Sequence, residues 1–527
     1  MTTRVPRLAA LAVTSAMAVL PALAQNVFFT PGNLVVSRSV YFDNPFNVTV
    51  GQVLPPNCAN SCVNATNNGL YPWVFNNALA DASFGITSGI FLHHITPAGK
   101  LIASQAIAND PVFSKNILVT SFSSKSELAL NLSLDHQYIT FMGYVAPVGL
   151  IDVSNSNTPG VVDPTNPVGE NFYRAVAQVN QFGQVQITET NAYSGNNGRA
   201  AILNNFNNVY YTAGNAGNGS NPQPNGVILG AGAQIVTPIV EPESAQNPGL
   251  PTPVGSFAVT QLGDKPDKIG KDTNFRGLTI FNDVLYYTKG SGGNGVNTVY
   301  FVDTTGTACA GTNGVGLPVA GAALPSAPIP YNPAVLQTEG VVPYNMCILK
   351  GFPTALKSTT SFPFGIWFAN ANTLYVADEG DGVNTYANGT YTAAAASTTA
   401  GLQKWVFSNG TWSLAYTLQA GLNLGVPYTI KNYPTGNNWA TGLPWAPATD
   451  GLRNITGKVN GDGTVTIYAI TSTVSGNGDQ GADPNMLVAI ADDLSATTLP
   501  AGESFTTIRS AGFGEVLRGV SFTPGTN

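Results

Sequence analysis

The same order of short structural signals returns along most of this chain. In one copy an apolar run opens at Arg276, a turn follows at Asn282–Asp283, an alternating segment spans 284–287, and a glycine-rich stretch covers 289–297. Similar orders open near residues 126, 199, 365, 451 and 518. β-branched and aromatic runs punctuated by Gly, Asn and Asp are typical of strands joined by hairpins. The repeat therefore predicts an all-β chain built from consecutive four-stranded units.

The repeat is incomplete at both ends of the chain. An opening strand at 518–522 has no continuation, whereas the segments 33–38 and 91–102 have no opening strand. Pairing of the two terminal strands completes one unit and removes exposed sheet edges. We therefore expect residues 25–527 to form a single β-propeller of about six four-stranded blades, with seven as the alternative, closed by pairing of the N- and C-terminal strands. Two packed β-sandwiches do not predict the repeated order of strand, short turn, strand and long loop.

One segment of each copy carries a family resemblance. The stretch Leu374–Asp378 and its counterparts make the chain resemble the broad superfamily of secreted six- and seven-bladed propellers of the NHL, SMP-30 and YVTN types. The resemblance covers nearly the whole mature chain. It implies the fold and no particular activity, because propellers host hydrolases, lyases, lactonases and scaffolds.

The N-terminus has the pattern of a secretory signal peptide. Arg4 and Arg7 precede the apolar run 8–20, and Ala22–Ala24 supplies a small-x-small cleavage site. We expect residues 1–24 to be removed and the mature protein to be secreted and extracellular. The apolar run is too short to cross ~30 Å of hydrocarbon, and no later segment approaches ~20 apolar residues, so no membrane span is expected.

The cysteine content agrees with an extracellular protein. Four cysteines in a secreted chain predict two disulfides, and of the three connectivities we favour Cys58–Cys62 and Cys309–Cys347. A zinc site is the alternative, but the usual double CxxC spacing is missing. Asn-x-Ser/Thr sequons favour a glycoprotein and occur at Asn47, Asn64, Asn131, Asn218, Asn388, Asn409 and Asn454.

Composition and motifs exclude several classes of function. Hydrophobic residues make up 43%, which excludes general disorder. A net charge of −7 argues against a nucleic-acid partner. The sequence has no GxSxG, Walker, dinucleotide-binding or HExxH motif, and His93 and His94 are adjacent in one strand, so their side chains point to opposite faces. We expect a monomer.

Basic residues stand where the first strand of most copies begins. Propeller connectivity places the loops between second and third strands on one face, which we call the long-loop face. The first strands begin at the same face, where their first residues surround the axis. A cationic centre in an acidic protein indicates an anionic ligand such as an extracellular glycan. The alternative is that each side chain binds backbone carbonyls or a neighbouring acid and holds the ring together. The residues are Lys125, Arg199, Arg276, Arg453 and Arg518.

The candidate catalytic residues are Asp378, Glu379, Asp381 and Tyr287. Paired carboxylates serve glycoside hydrolysis, and a tyrosine beside an arginine serves as the base of a lyase. Asp378 and Asp381 are also candidate Ca²⁺ ligands, and a solvated turn is the third interpretation.

Two further tyrosines end second strands. Tyr144 and Tyr211 are candidates to stack on sugar rings at the rim, with packing between blades as the alternative. Two functions stay open. The first is a polysaccharide lyase or glycoside hydrolase that acts on an anionic, uronate-type glycan. The second is a non-catalytic secreted module that binds glycan or protein or belongs to a cell envelope.

Overall fold

The computed structural model describes most of the chain from residue 26 onward. The described residues are 26–59, 62–107, 118–159, 162, 166–215, 232–238, 255–256, 274–290, 296–312, 314–326, 346–356 and 360–527. The signal peptide expected at residues 1–24 lies outside them. Helical segments in these ranges are short: α1 (Thr392–Ala396) and the 3₁₀ turns Trp73–Leu79, Val153–Asn155 and Gln480–Ala482. None of the described helices is long and apolar enough to cross a membrane.

The rest of the regular structure is β-strand. The first strands are β1 (Leu34–Val40), β2 (Val53–Leu54), β3 (Val63–Asn64), β4 (Thr87–Ile95), β5 (Leu101–Ala106), β6 (Leu118–Ser121), β7 (Asn131–Leu132), β8 (Tyr138–Val145), β9 (Arg174–Asn180) and β10 (Val185–Thr190). The middle of the chain contains β11 (Gly198–Asn204), β12 (Val209–Gly214), β13 (Ala233–Val236), β14 (Gly255–Ser256), β15 (Leu278–Phe281), β16 (Val284–Lys289), β17 (Thr298–Val302), β18 (Val315–Gly316), β19 (Met346–Leu349) and β20 (Pro363–Asn370). The last strands are β21 (Thr373–Asp378), β22 (Tyr386–Ala387), β23 (Thr390–Tyr391), β24 (Gly401–Ser408), β25 (Thr411–Leu418), β26 (Ala448–Val459), β27 (Thr464–Val474), β28 (Met486–Asp493), β29 (Thr506–Ser510) and β30 (Glu515–Phe522).

These strands form a propeller-like ring of small sheets, which confirms the predicted all-β class. Four sheets are separate, with the orders β11-β12-β13-β14, β15-β16-β17-β19-β18, β20-β21-β24-β25 and β26-β27-β28-β29. A nine-stranded sheet has the order β10-β9-β8-β6-β4-β1-β30, with β5 beside β4 and β7 beside β8. The number of separate four- or five-stranded sheets is thus four, where the sequence predicted six or seven blades. The difference arises because β6 joins β4 to β8 and merges strands of two repeats into one sheet.

The first and last described strands meet in the nine-stranded sheet. β1 pairs antiparallel with β30, from Leu34 opposite Phe522 to Val40 opposite Glu515. The other edge of β1 pairs with β4 along its whole length. The terminal strands therefore pair as the sequence predicts, and β1 has no free edge.

Neighbouring sheets approach closely at the axis. Gly277 and Gly365 lie at the start of consecutive inner strands, where a Cβ would stand 2.2 Å from the carbonyl oxygen of Phe364 and 2.3 Å from that of Arg453, respectively. Such distances exclude any side chain, so glycine is required here for packing and not for its backbone freedom.

Three hydroxyl groups link one repeat to the next. Ser37, Thr140 and Thr288 each donate a hydrogen bond of 2.5 to 2.7 Å to a carbonyl of the following inner segment. The acceptors are Leu128, Ala201 and Phe364. These three buried carbonyls are thereby satisfied.

Both cysteine pairs lie at disulfide distance with the predicted connectivity. The Cα atoms of Cys58 and Cys62 are 5.7 Å apart, and those of Cys309 and Cys347 are 5.9 Å apart. Cys347 lies in β19 and Cys309 in the connection after β17, so the second bond fastens a loop to its own sheet.

The close approach at the axis predicts a steric effect of substitution. Gly365→Ala places a methyl group against the Arg453 carbonyl and should lower the free energy of unfolding by about 1–3 kcal/mol. Gly461→Ala is the matched control, because a Cβ there meets nothing within 4 Å. Urea denaturation followed by tryptophan fluorescence measures both variants. Equal midpoints for the two would contradict the packing described.

Candidate binding face

Long connections gather at one end of the strands. The second and third strands of successive units are joined by residues 146–173, 215–232, 290–297, 379–400 and 475–485. The first and second strands are joined by the short turns 205–208, 282–283, 371–372 and 460–463. Because the strands are antiparallel, the two kinds of connection lie at opposite ends of each sheet. The described parts of the long connections form the long-loop face.

A buried ion cluster lies where inner strands begin at this face. Glu379 directly follows β21, and its Oε1 lies 3.8 Å from Nη2 of Arg276 while its Oε2 lies 3.2 Å from Nε of Arg453. Burial opposes ionisation of Glu379, but the two guanidiniums hold its pKa below the ordinary value. Lys125, which is half-buried, adds a third and weaker attraction. Glu379 is therefore a carboxylate that links its own sheet to the sheets on either side.

The other two arginines bind mainly backbone carbonyls. Arg199 donates to the side chain of Asn274 and, at 3.0 Å, to the carbonyl of Phe275. Arg518 donates to the carbonyls of Phe122, Ser124 and Gly481. Burial lowers the pKa of Arg518 to about 9. These contacts match the interpretation in which the arginines hold the ring together.

Two more carboxyl groups lie beside Glu379. Asp378 is fully buried and accepts hydrogen bonds from the backbone N–H groups of Phe362 and Gly380. Asp450 accepts one from Gly382, and its Oδ1 has no hydrogen-bond partner in the part of the chain that the structure describes. Burial raises the pKa of each to about 7.

Asp450 was not singled out from the sequence. It is close to Arg453 in the opening of one repeat, which is the only signal that marks it. The third predicted carboxylate, Asp381, is exposed and accepts from the N–H of Val383. The cluster thus combines an ionised Glu379 with an Asp450 that holds its proton up to neutral pH, and such a separation of pKa values suits acid and base roles.

The predicted tyrosines are all buried. Tyr287 donates to the carbonyl of Thr212 at 3.3 Å, and Tyr211 donates to that of Pro325 at 2.7 Å. Tyr144 donates to Glu127 and lies under the guanidinium of Arg174. The structure places these rings inside and between sheets and not on the rim.

The described part of the ion-rich centre has no group of side chains that could bind a metal ion. No three His, Cys, Asp or Glu side chains among the described residues are grouped closely enough to hold an ion. The Ca²⁺ ligands expected at Asp378 and Asp381 are one buried and one exposed carboxyl.

Two long segments cover part of the long-loop face, and we call them the cap. They are residues 41–86, between β1 and β4, and 419–447, between β25 and β26. The amides of Asn76 and Asn438 bind each other through two hydrogen bonds of 2.6 and 3.2 Å. Tyr71 donates to the carbonyl of Ala482 at 2.9 Å, so the cap is fastened to the ring as well.

The cap presents tryptophans to solvent. Trp439 is 66% exposed and Trp73 is 38% exposed. The ring of Trp73 packs edge-to-face on that of Trp445 with 5.9 Å between centroids. No sequence signal marks this surface, because the cap segments do not share the repeated order of signals.

No protein-family model matches the sequence, and no curated protein is similar to it. Solved structures with a related arrangement are distant. A chain in the crystal structure of a nidogen/laminin complex has a TM-score of 0.34 and 9% identity, covering 84% of this chain and 98% of that chain. The α-L-arabinofuranosidase of Podospora anserina in complex with cellotriose has a TM-score of 0.29 and 11% identity, covering 70% of this chain and 91% of that chain. Likeness at this level assigns neither a fold nor an activity to this chain.

The carboxyl of Asp450 predicts how stability depends on pH. Its folded-state pKa of about 7 lies above the unfolded value of 3.8, so its contribution to stability is present below pH 3.8 and is lost as the pH rises through 7. Asp450→Asn removes this loss and should become more stable relative to the wild type from pH 4 to pH 8, by on the order of 3 kcal/mol. Denaturant unfolding at each pH measures the difference. Asp381→Asn, at an exposed site, should follow the wild-type profile, and parallel profiles for all three proteins would contradict the assignment.

Proposed function

We propose that this chain is a secreted six-bladed β-propeller whose long-loop face binds an extracellular glycan. In this proposal the nine-stranded sheet counts as two blades, β30-β1-β4-β5 and β7-β8-β9-β10, which are joined through β6. An axial cavity of about 430 Å³ at the short-turn end supports the count, because one inner strand of each blade contributes to its wall. These strands contribute Leu132, Ile202, Ile280, Ile366, Ile455 and Phe522.

Secretion is proposed on two observations. The first 24 residues have the signal-peptide pattern, and the two cysteine pairs lie at disulfide distance. Disulfides persist in oxidising compartments, which is where extracellular glycans are met.

The observation that carries the binding proposal is the exposed tryptophan surface of the cap. A tryptophan ring offers a large apolar face with few rotatable bonds, and sugar rings present a matching apolar face of C–H groups. Trp439 is preceded in the chain by Thr435 and Asn437, which are exposed and whose hydroxyl and amide groups suit sugar hydroxyls. Charged residues make up only 9% of the chain, so few ion pairs are available for a protein partner.

The cap is rigid enough to serve as a binding site. The Asn76–Asn438 pair joins its two segments next to Trp439 and one helical turn from Trp73. Below them Tyr433 donates to the buried Asp483 at 2.5 Å. Side chains held in this way lose little conformational freedom when a ligand binds.

A second candidate function is cleavage of an anionic, uronate-type glycan at the central cluster. It is favoured by the pairing of an ionised Glu379 with Asp450, whose pKa is raised by burial to about 7. In this scheme Asp450 donates a proton to the leaving oxygen and Glu379 acts as base or nucleophile. Arg276 and Arg453 would orient the acidic sugar. Asp378, Asp381 and Tyr287 would supply further acid or base groups in the same scheme.

The binding proposal predicts which surface retains polysaccharide. Trp439→Ala should weaken retention in affinity electrophoresis on a panel of neutral and acidic polysaccharides by about tenfold or more, because an exposed Trp anchor carries much of the binding energy. Phe206→Ala is the matched control, since Phe206 is 76% exposed in a short turn at the opposite end of the ring. Failure of the wild type to be retained by any polysaccharide would reject the proposal.

Cleavage is tested on the retained polysaccharide. If the chain is an enzyme, we expect the wild type to release reducing ends or unsaturated uronates. Glu379→Gln should lose this release while its retention on the polysaccharide persists. Retention without release, in the wild type and across the panel, leaves the non-catalytic binding module as the function.

A further inference from the structure

A lysine and an aspartate from neighbouring sheets meet out of contact with solvent. Lys404 lies in β24 and Asp492 lies in β28, and both side chains are fully buried. Nζ of Lys404 lies 2.9 Å from Oδ2 of Asp492. The carboxyl carbon of Asp492 is only one bond beyond that oxygen, so the amine nitrogen stands close to a carbon that a nucleophile can attack.

Two tyrosines hold the carboxyl of Asp492. Tyr416 donates to its Oδ1 at 2.7 Å, and Tyr375 donates to its Oδ2. Burial, together with the carboxyl of Asp492, raises the pKa of both phenols above the ordinary value, so each keeps its proton. Donors aimed at both oxygens draw electrons away from the carboxyl carbon, and they stabilise the oxyanion that forms when a nucleophile adds to it.

The amine of Lys404 is held in place from several sides. It donates to the carbonyl of Asp493 at 2.6 Å and to the hydroxyl of Tyr416 at 2.9 Å. Nζ also lies 5.2 Å from the ring centroid of Tyr416 and 5.8 Å from that of Tyr375. A site closed to water opposes charge, and transfer of one proton from the ammonium to the carboxylate removes both charges. The neutral amine that results is a nucleophile.

Glu503 adds a third group that can carry a proton. The side chain is half-buried, its Oε1 accepts from the N–H of Asp493 at 2.9 Å, and its Oε2 is buried. Its carboxyl lies within hydrogen-bonding reach of that of Asp492, and burial together with this neighbour raises the pKa of Glu503 to about 7. Two carboxyls in contact share a proton, so Glu503 is placed to deliver a proton to Asp492 and to take one from the amine.

We propose that Lys404 and Asp492 condense to an isopeptide bond, which joins two neighbouring sheets covalently. Nζ forms a bond to Cγ of Asp492, and the bond from Cγ to one carboxyl oxygen breaks. That oxygen leaves as water with two of the three hydrogens of the ammonium, so the step needs no oxidant or reductant. Glu503 carries the proton from the amine to the departing oxygen.

The bond would close a covalent loop that contains β25, β26 and β27. Such a loop restricts the unfolded chain in the way that a disulfide does. An amide is not opened by thiols, so this link would persist where the two disulfides are reduced.

The test is the mass of tryptic fragments from the mature protein, made in a host that adds no N-glycans and treated with a reductant. Trypsin does not cut after an acylated lysine. The linked wild type should therefore yield residues 358–431 joined to residues 459–509, with the summed mass of the two pieces less one water. Lys404→Met removes the nucleophile and should release 459–509 as a separate piece.

Two further variants separate the proton carrier from a general effect of substitution. Glu503→Gln should slow the formation of the bond by about a hundredfold, so freshly purified protein should be mostly unlinked. Lys350→Met is the matched control, because Lys350 is exposed, and it should be linked as fully as the wild type. Circular dichroism establishes that each variant is folded before digestion.

Two results would overturn the proposal. A folded wild type that yields 405–431 and 459–509 as separate pieces shows that Lys404 and Asp492 remain an ion pair only. Freshly purified Glu503→Gln that is linked as fully as the wild type removes Glu503 from the step. Neither readout uses glycan binding, so failure here leaves the proposed function standing.

Discussion

The antiparallel pairing of β1 with β30 is the contact on which the rest of the structure depends. It joins strands from opposite ends of the chain, so its formation restricts the whole chain between them. The pairing leaves β1 with neighbours on both edges and joins β30 to a sheet. A closed ring holds the inner strands at fixed distances from one axis, and it fixes where the cap, which begins directly after β1, leaves the ring.

Closure of the ring also creates the charged centre. Inner strands that converge on one axis bring their first residues together, and the approach is so close that Gly277 and Gly365 have no room for a side chain. Arginine suits such a position because its several donors satisfy carbonyls from neighbouring segments, as Arg518 does. Glu379 then supplies the negative charge that two guanidiniums require. The cations predicted to form an open mouth are thus largely engaged within the ring.

The outcome for individual residues shows how far sequence patterns reach. The alternation of Val284–Tyr287 predicted β16 correctly, because apolar side chains on one face of a strand repeat with period two. The same pattern could not tell whether Tyr287 faces a rim or a neighbouring sheet, since both positions follow an apolar run. Asp450 and the exposed Trp439 escaped notice for another reason: neither belongs to the repeated signals, and their importance comes from neighbours that are distant in the chain.

Local signals were therefore enough to determine the all-β class, the pairing of the terminal strands, the cysteine partners and the side of the ring that carries the long connections. They act through strand alternation, turn residues and covalent geometry, which are properties of neighbouring residues. Three features were decided by the tertiary structure alone. They are the merging of two repeats through β6, the neutralisation of Arg276 and Arg453 by Glu379, and the cap. Each depends on contacts between groups that are distant in the chain, and no local pattern encodes which distant group becomes the neighbour.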